Sequence, residues 1–360
     1  MNKDLRQQTS SSQSLPPTSQ RVFVCAINSK DNEWYSFPLN FSDLDGNRKR
    51  ERGIGRDDSQ ILTTLGSKTD SLFSGFAVVD STIYCIGGQP ADRNPTWKFY
   101  HYVYNDVYSL NTSSHVRKTW ETSPLMHGAR SFPQVVTLNG MIYVMGAVGS
   151  EDGGPEPWAE VFDPKSGSWS PLDPPDPKPS IDCPITEAFC AALPHTNQVL
   201  VGSTLDTFIC LYDVGSNSWK HLKDIEILSP PSSFECPPVV SGKSLFWFRN
   251  GLLNAYDLEL NLNYSAVIEG LEDFVPPYVF ELGSSGYPSP KLLCHADKDF
   301  CLACFEYSMS EKDLVLLHCI RFSVSSVAAS GEETCFHASV RAYKSYYFKM
   351  SYPLRDARMM

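Results

Sequence analysis

One hairpin occurs twice in this chain, at positions fifty residues apart. The segment EVFDPKSGSWSPL spans residues 160–172, and CLYDVGSNSWKHL spans residues 210–222. Each reads as a short strand, a polar turn and a second strand, with an aspartate six positions before a tryptophan. A unit that recurs at a fixed period indicates a repeat architecture, in which neighbouring units bury each other's apolar faces. The repeated residues are Asp163, Trp169, Asp213 and Trp219.

Four units of this kind can be counted along the chain, and each is predicted to contain four short strands that we label a to d. Their second strands read IYCIGG, IYVMG, VLVG and LFWF. Two further strand-rich fragments lie at the ends: residues 21–39, which resemble the c and d strands of a unit, and three or four strands from residue 291 onwards. Pairing strands from both ends of a chain closes such a ring and removes exposed sheet edges.

The repeated aspartate and tryptophan have a structural explanation. An aspartate side chain accepts a hydrogen bond from a backbone N–H two residues further on, and Gly167 or Gly215 is expected to adopt a positive φ in the turn. The tryptophan is expected to pack against the neighbouring unit and to bury a large aromatic surface. We therefore interpret the hairpin as scaffold rather than as a reactive site.

Further residues carry a likeness to a known repeat family. Gly87 and Gly88 follow an apolar b strand, each unit has an aromatic residue in its c strand, and three units have a tryptophan in the d strand. These features resemble kelch repeats, and their arrangement is similar to that of plant F-box/kelch-repeat proteins. The fourth unit departs from the pattern, because Arg249 and Asn250 replace the glycines and Tyr264 stands near the tryptophan position.

The resemblance implies an all-β, kelch-type β-propeller over residues 21–350, closed by N- and C-terminal strands. We favour six blades, with five or seven left open. Residues 41–70 are expected to form a polar insertion, and residues 1–20 and 351–360 are expected to be tails, the first of them disordered in composition. The twenty residues before the first strand do not resemble the helical F-box. Docking on a cullin-type ubiquitin ligase is therefore placed in doubt.

The candidate partner-binding residues lie on long loops. In a four-stranded blade the a–b and c–d turns lie on one face of the ring, and the b–c and d–a connections lie on the other. The a–b turns are short here, whereas several b–c and d–a connections are long, and binding residues concentrate on long loops of a rigid scaffold. Aromatic residues and arginine dominate interface hot spots, although these aromatics can instead fold back on their own blade. The candidates are Arg93, Trp97, Lys98, Tyr100, Tyr102, Arg130 and Trp158.

Composition narrows the kind of partner. Thirty basic and 41 acidic side chains leave a net charge of −11, which disfavours nucleic acid and anionic membrane as partners. The eleven cysteines fit small buried side chains in a reducing compartment better than disulfides. We therefore expect a monomer in the cytoplasm and/or nucleus that binds a protein partner. The basic run at residues 47–56 is read either as a nuclear-localisation patch or as a solvated loop.

The sequence contains no recognisable motif for catalysis or for a cofactor. The CxxC at Cys301 and Cys304 has no second pair, and residues three apart on a strand point to opposite faces. We therefore predict no metal site and no cofactor. Two functional hypotheses follow. The favoured one is a non-catalytic protein-interaction module, a relative of the F-box/kelch substrate receptors of ubiquitin ligases. The alternative is a propeller enzyme or small-ligand-binding protein that uses the mouth of the channel.

Overall fold

In the part of the chain that the computed structural model describes, the regular secondary structure is almost wholly β-strand. The described part contains 28 strands and two short 3-10 helices, Leu271–Asp273 and Pro277–Val279. Within that part no helix is long and apolar enough to cross a membrane. The structure describes residues 21–27, 31–39, 41, 60–61, 63–69, 71–90, 103–113, 119–146, 157–176, 188–203, 208–222, 227–228, 231, 237–279, 288–307, 313–328, 334–349 and 356–359.

Five sheets consist of four antiparallel strands each. The first has the order β28 (Asp356–Met359), β1 (Arg21–Ile27), β2 (Asp31–Pro38) and β4 (Thr63–Thr69). The second contains β6 (Gly75–Val79), β7 (Thr82–Ile86), β9 (Val107–Asn111) and β10 (Glu121–Ser123). The third contains β11 (Gln134–Leu138), β12 (Met141–Met145), β13 (Ala159–Asp163) and β14 (Ser168–Leu172). The fourth contains β15 (Ala188–Leu193), β16 (Gln198–Ser203), β17 (Phe208–Asp213) and β18 (Ser218–His221). The fifth contains β19 (Val239–Ser241), β20 (Ser244–Arg249), β21 (Leu252–Asp257) and β22 (Leu262–Ala266).

A sixth sheet is larger. Its antiparallel strands are β24 (Lys291–Ala296), β25 (Asp299–Tyr307), β26 (Leu314–Ala328) and β27 (Thr334–Lys349). Two short strands, β3 (Gln60–Ile61) and β23 (Ile268–Glu269), run parallel to β27 and extend this sheet. A separate pair is formed by β5 (Ser71–Leu72) and β8 (Gln89–Pro90).

Apolar clusters between successive sheets join them into a closed ring. Trp34 of the first sheet packs edge-on against Phe76 of the second, with ring centroids 5.0 Å apart. Four further clusters lead from the second sheet to the sixth. The last cluster returns to the first sheet, where the rings of Tyr35 and Phe348 lie 4.6 Å apart. The predicted all-β, kelch-type propeller fold is confirmed, with five four-stranded blades and a larger sheet that completes the ring.

Strands from the two ends of the chain close the ring, as predicted. β28 pairs antiparallel with β1, so that Val24 lies opposite Met359. The sequence places residues 351–360 in a tail, and that boundary is wrong for β28. Its four residues, DARM, alternate charged and apolar side chains, but an alternation this short does not distinguish a strand from a tail, and pairing with a distant strand decides its position. Because β28 occupies the a position, β1 and β2 are the b and c strands of their blade rather than the predicted c and d strands.

The predicted polar insertion at residues 41–70 also contains strands. β4 is the outer strand of the first blade, where Tyr35 pairs with Thr64, and β3 pairs with β27. The sequence of β4, TTLGSKT, includes one buried apolar residue, Leu65. A strand with so little apolar alternation carries a weak periodic signal, because outer strands of a blade are only partly covered.

The two repeated hairpins form as predicted, with one change of residue. Asp163 Oδ1 accepts a hydrogen bond from the Lys165 N–H at 2.8 Å, and Gly167 has a φ of 68°. In the second hairpin the left-handed residue is Asn217, with a φ of 51°, and not Gly215. The fourth residue after the aspartate takes this conformation in both turns, and asparagine tolerates it better than other non-glycine residues.

The repeated tryptophans contact the preceding blade, which confirms their role as scaffold. Trp169 Nε1 donates a hydrogen bond to the Pro124 carbonyl at 2.9 Å, and Trp219 contacts the third blade in the same way. In the fifth blade the strand register places Asn263, and not Tyr264, at the tryptophan position. The substitution of tryptophan by asparagine explains why the periodic signal fades there.

Candidate functional site

The predicted partner-binding residues fall into two groups. Five of them lie outside the described residues: Arg93, Trp97, Lys98, Tyr100 and Tyr102. Arg130 and Trp158 lie on the long-loop face, where Arg130 donates a hydrogen bond to the Trp158 backbone carbonyl at 3.0 Å. Both are buried, with 0% and 3% of their surface exposed. We therefore reassign these two residues from the contact surface to the framework that supports the loops.

Arg130 forms a buried ion pair at the root of the loops. Its Nη2 lies 2.9 Å from Glu160 Oε1, and both side chains are fully buried. Nη1 donates to the carbonyls of Gly146 and Trp158 at 2.9 and 3.0 Å, and Nη2 also donates to the Pro157 carbonyl. The planar guanidinium has five donors, which suits it to such a multivalent position. It thereby ties the d–a connection of the second blade to both ends of the next b–c connection.

Glu160, on β13, holds the same d–a connection from the other side. Its Oε2 accepts the His127 N–H at 2.9 Å, and its Oε1 accepts the Gly128 N–H at 3.2 Å. His127 Nδ1 lies 3.1 Å from Oε2. A buried charge requires both an opposite charge and hydrogen bonds to offset its loss of hydration. The arrangement supplies both, and it holds the segment from His127 to Arg130 against the third blade.

The paired glycines explain how this segment meets the second blade. The N–H of Gly88 donates to the Arg130 carbonyl at 2.7 Å, and that of Gly87 donates to the Asp106 carbonyl at 2.9 Å. Gly87 has a φ of 62°, and a Cβ added there would lie 2.5 Å from the Arg130 carbonyl oxygen. Only glycine permits this approach. The fifth blade needs no such pair, since a tight turn at residues 250–251 joins its b and c strands.

Trp158 belongs to the packing between blades. Its ring lies 5.5 Å from that of Trp219, at an angle of 77° between their planes, and both belong to the cluster between the third and fourth blades. Edge-to-face pairs of this kind add to the stabilisation that burial provides. The aromatic residue predicted to meet a partner is therefore occupied within the scaffold.

Sequence reasoning missed one notable pair near the channel mouth. Phe73 and Phe132 precede the innermost strands β6 and β11, their rings stack at 4.0 Å, and Phe132 N–H donates to the Phe73 carbonyl at 2.8 Å. Both have a positive φ, 60° and 57°, a conformation that costs a bulky residue about 1–3 kcal/mol. The signal was available, because the two phenylalanines are separated by 59 positions, as are Ile83 and Ile142 of the b strands.

Polar atoms beside this pair are buried. Ser131 Oγ and Gln134 Oε1 have no hydrogen-bond partner among the described residues. Buried polar groups are normally paired with protein atoms or with water. Ser131 is fully buried and Gln134 is 5% exposed, so these atoms lie within the scaffold beneath the aromatic stack and not on its surface.

The groups with shifted pKa values discussed next lie in the strands and hairpin turns of the third and fourth blades, and not beside Phe73 and Phe132. Burial raises the pKa of Tyr212 to about 12 and that of the Cys210 thiol to about 11. Hydrogen bonds from backbone N–H groups lower the pKa of Asp163 and Asp213 in their turns. The causes are ordinary packing and turn formation.

The CxxC segment has the geometry expected of a strand. Cys301 is buried between the sixth and first sheets, whereas Cys304 is buried between the fifth and sixth. The two thiols therefore lie on opposite faces of β25. Across the part of the chain that the structure describes, no group of three or more histidine, cysteine, aspartate or glutamate side chains is arranged to hold a metal ion.

Comparison with known proteins supports the kelch assignment. The Kelch motif family model matches residues 129–175, which include the third blade and the Arg130–Glu160 pair. F-box/kelch-repeat protein At4g33900 of Arabidopsis thaliana is 37% identical over 161 residues, which cover 43% of this chain and 38% of the relative. F-box/kelch-repeat protein At4g19865 of the same plant is 30% identical over 238 residues, which cover 65% of this chain and 52% of the relative.

The chain thus spans about half or less of the length of these relatives. The stretch matched by the Kelch motif model contains Arg130 and Glu160 together with Asp163 and Trp169 of the first repeated hairpin. The chain is a β-propeller that carries a Kelch motif in its third blade and is similar to F-box/kelch-repeat proteins of Arabidopsis thaliana.

Proposed function

We propose that this chain is a non-catalytic protein-interaction module that binds a partner protein through the long b–c and d–a loops on one face of the propeller. By analogy with the relatives named F-box/kelch-repeat proteins, we further propose that its role is that of a substrate receptor. The loop residues Arg93 and Trp97 are the proposed anchors of the contact.

The observation that carries the proposal is the buried Arg130–Glu160 pair. It connects the d–a connection of the second blade to the ends of the next b–c connection. A binding loop whose ends are fixed loses less conformational entropy when it meets a partner, so a rigid root favours affinity. Burying two charges has a desolvation cost. We infer that this cost is offset by the need for rigid loops on a binding face, because loops that only link strands do not need a fixed course.

Exposed apolar residues on the same face offer further support. Leu125, in the d–a connection of the second blade, is 56% exposed, and Leu228, in that of the fourth, is 58% exposed. The neighbouring Met126 is buried, so the connection presents one side chain outward and anchors the other. Apolar residues with a polar surround are typical of the central part of a protein interface.

The experiment is an affinity capture from plant-cell extract, with quantitative mass spectrometry of the retained proteins. We compare the intact chain with the double variant Arg93→Ala/Trp97→Ala, with Leu125→Ser, and with Lys165→Ala on the opposite face as control. The expected result is a partner that the control retains and that both long-loop variants lose. Equal retention by all four proteins would show that the long-loop face is not the receptor surface.

The substrate-receptor role has its own test in the same experiment. Subunits of a ubiquitin ligase are expected among the retained proteins if the role is correct. A different result would favour the alternative of a small-ligand-binding protein at the channel mouth. In that case the chain captures no protein, but after incubation with a metabolite mixture it retains a small molecule that the Gln134→Ala variant does not bind.

A further inference from the structure

The innermost strand of the first blade differs from the other innermost strands in how it is attached. In the second to fifth blades and in the sixth sheet, a short turn joins the innermost strand directly to its neighbour, as residues 139–140 join β11 to β12. In the first blade the innermost strand is β28 and its neighbour is β1, and these two strands lie at opposite ends of the sequence. They are therefore joined by antiparallel backbone pairing and not by a turn.

The pairing between β28 and β1 is short. It covers four of the seven residues of β1, from Val24 opposite Met359 to Ile27 opposite Asp356. On its other edge β1 pairs with β2 along its whole length. A pairing of four residues contains few hydrogen bonds, and segments held in this way are among the first parts of a fold to open. We therefore expect β28 to separate from β1 more readily than β2 does.

Side chains of β1 itself hold the first blade in the ring. Val22, Val24 and Ala26 are buried in the cluster that joins the first sheet to the sixth. Phe23 and Cys25, on the other face of the strand, are buried in the cluster that joins the first sheet to the second. Because neighbouring sheets cover both faces of β1, its inner edge is expected to keep its position when β28 leaves. That edge then presents unpaired N–H and C=O groups, which form a template for another strand.

The end of β27, from which the chain continues to β28, is fixed independently. The Tyr346 hydroxyl donates a hydrogen bond to the Pro38 carbonyl at 2.8 Å, and the Tyr35 hydroxyl donates to the Lys349 carbonyl at 3.2 Å. Both bonds join the sixth sheet to the first blade, and residues 350–355 then lead to β28. Separation of β28 from β1 therefore leaves the bonds and the apolar cluster between these two sheets in place.

We infer that the inner edge of β1 is a strand-acceptor site, which β28 of the same chain fills in cis and β28 of a second copy fills in trans. The occupant follows from the pairing already present, because a second copy carries the same segment and makes the same backbone hydrogen bonds in the same register. Exchange of an identical element between copies is a low-cost route to association. Main-chain bonds at a sheet edge supply the affinity in strand addition generally.

The cis strand and the trans strand compete for one edge. A segment tethered through a short linker has an effective concentration on the order of 1 mM. The cis strand therefore occupies the edge in dilute solution. Occupation in trans is expected when the chain's own β28 is prevented from pairing, or when copies of the chain are highly concentrated.

The test measures fluorescence anisotropy of a fluorescein-labelled peptide of residues 351–360, SYPLRDARMM, titrated with the full chain. In the variant Ala357→Pro/Arg358→Pro the chain's own strand cannot pair. Consecutive residues of a strand direct their N–H groups to opposite sides, so one of the two prolines removes a donor to β1. This variant is expected to bind the peptide about tenfold or more tightly than the unmodified chain, in which β28 competes. A control peptide with the same two prolines is expected to bind neither protein.

A second measurement locates the site and does not depend on the proline variant. Arg358 lies opposite Cys25 in the strand register, so a peptide with Arg358→Cys brings a thiol to a native thiol. In an oxidising buffer, with the peptide at about 1 mM, a disulfide to Cys25 is expected, which mass spectrometry of tryptic fragments identifies. The Cys25→Ser variant is the control and is expected to lose this bond. Arg358→Cys in the full chain is expected to give covalent dimers whose fraction rises with protein concentration.

Three results would overturn the inference. The first is equal affinity of the proline variant and the unmodified chain for the peptide. The second is equal binding of the peptide and its proline control. The third is a disulfide to a cysteine other than Cys25. If the proline variant is unfolded by itself, recovery of its thermal transition on addition of the peptide supports the inference, and failure to recover overturns it. None of these results bears on the long-loop face, so the proposed function stands or falls separately.

Discussion

The two faces of the propeller are stabilised in different ways. On the long-loop face, the second and third blades are tied together by Arg130 and Glu160, whose side chains are fully buried although 30 positions separate them. On the opposite face, each hairpin turn is held by hydrogen bonds between residues two or three positions apart, such as that from the Lys165 N–H to Asp163. The first arrangement is tertiary and the second is local.

This difference indicates which residues can be substituted without loss of the fold. A long connection has too few local bonds to fix its course, so it depends on a buried clamp whose loss leaves a charge without a partner. A short turn fixes its own conformation through one aspartate and one left-handed residue. Its remaining positions can vary, and in the fifth blade they carry Leu260 and Leu262 instead of serines.

The largest effect is expected from breaking the clamp. Arg130→Met leaves Glu160 buried without its counter-charge, which is expected to lower the free energy of unfolding by about 3–5 kcal/mol. The double variant Arg130→Met/Glu160→Leu removes both charges and is expected to recover a large part of that loss. Urea denaturation measures both. A single variant that loses less than about 1 kcal/mol would indicate that the pair is not a clamp.

A smaller effect is expected at Gly87, the first of the paired glycines, and Gly140 in the a–b turn of the third blade provides a matched control. Gly87→Ala combines a positive φ with a Cβ placed 2.5 Å from the Arg130 carbonyl, whereas Gly140→Ala has a positive φ and no atom within 4 Å. The Gly140 variant is expected to cost roughly 1–2 kcal/mol and the Gly87 variant about twice as much. Equal losses in thermal denaturation would show that the close approach contributes nothing.

A third prediction introduces a hydrogen bond of the fourth-blade turn into the third-blade turn. In the fourth blade the Tyr212 hydroxyl donates to Asn217 Oδ1 at 2.6 Å, whereas the third blade has Phe162 and Gly167 at these two positions. Phe162→Tyr and Gly167→Asn together are expected to create the bond, with an interaction energy of about 0.5–1.5 kcal/mol in a double-mutant cycle. The converse variant, Tyr212→Phe, is expected to lose a similar amount. An interaction energy of zero would mean that the third-blade turn has a different geometry.

The smallest effect concerns acid. The pKa values of Asp163 and Asp213 are lowered chiefly by backbone hydrogen bonds, from an ordinary value of 3.8. A group with a lowered pKa in the folded state stabilises the protein above its unfolded pKa, and this contribution disappears as the pH falls through the folded pKa. The unmodified chain is therefore expected to lose stability below about pH 4, and Asp163→Asn/Asp213→Asn is expected to lose less over the same range. Urea midpoints at neutral pH and in acid give the comparison, and identical acid slopes would count against the turn bonds.

The repeat, the all-β class and the form of the hairpins could be predicted from the amino-acid sequence alone. These features depend on residues close in the chain: the aspartate with its turn, the alternation of apolar side chains, and the b strands that recur at a fixed distance. Local hydrogen bonds and strand periodicity act over a few residues, so their signal is present wherever the segment is read. Where the prediction was wrong, the error was small: the residue with positive φ is Asn217 and not Gly215, and both lie in the same turn.

Features that depend on residues distant in the chain could be recognised only in the closed ring. β28 and β1 stand at opposite ends of the chain, and β28 has only four residues, too few for its alternation to identify a strand without its partner. Arg130 and Trp158 have the composition of an interface, yet Glu160 and the neighbouring blade bury them. Arginine and tryptophan are typical of protein interfaces, but whether a given one is exposed depends on which groups the closed ring brings next to it. A charged or polar side chain can be buried only where a partner offsets its loss of hydration. Such a partner can lie far away in the chain, so only the folded structure identifies it.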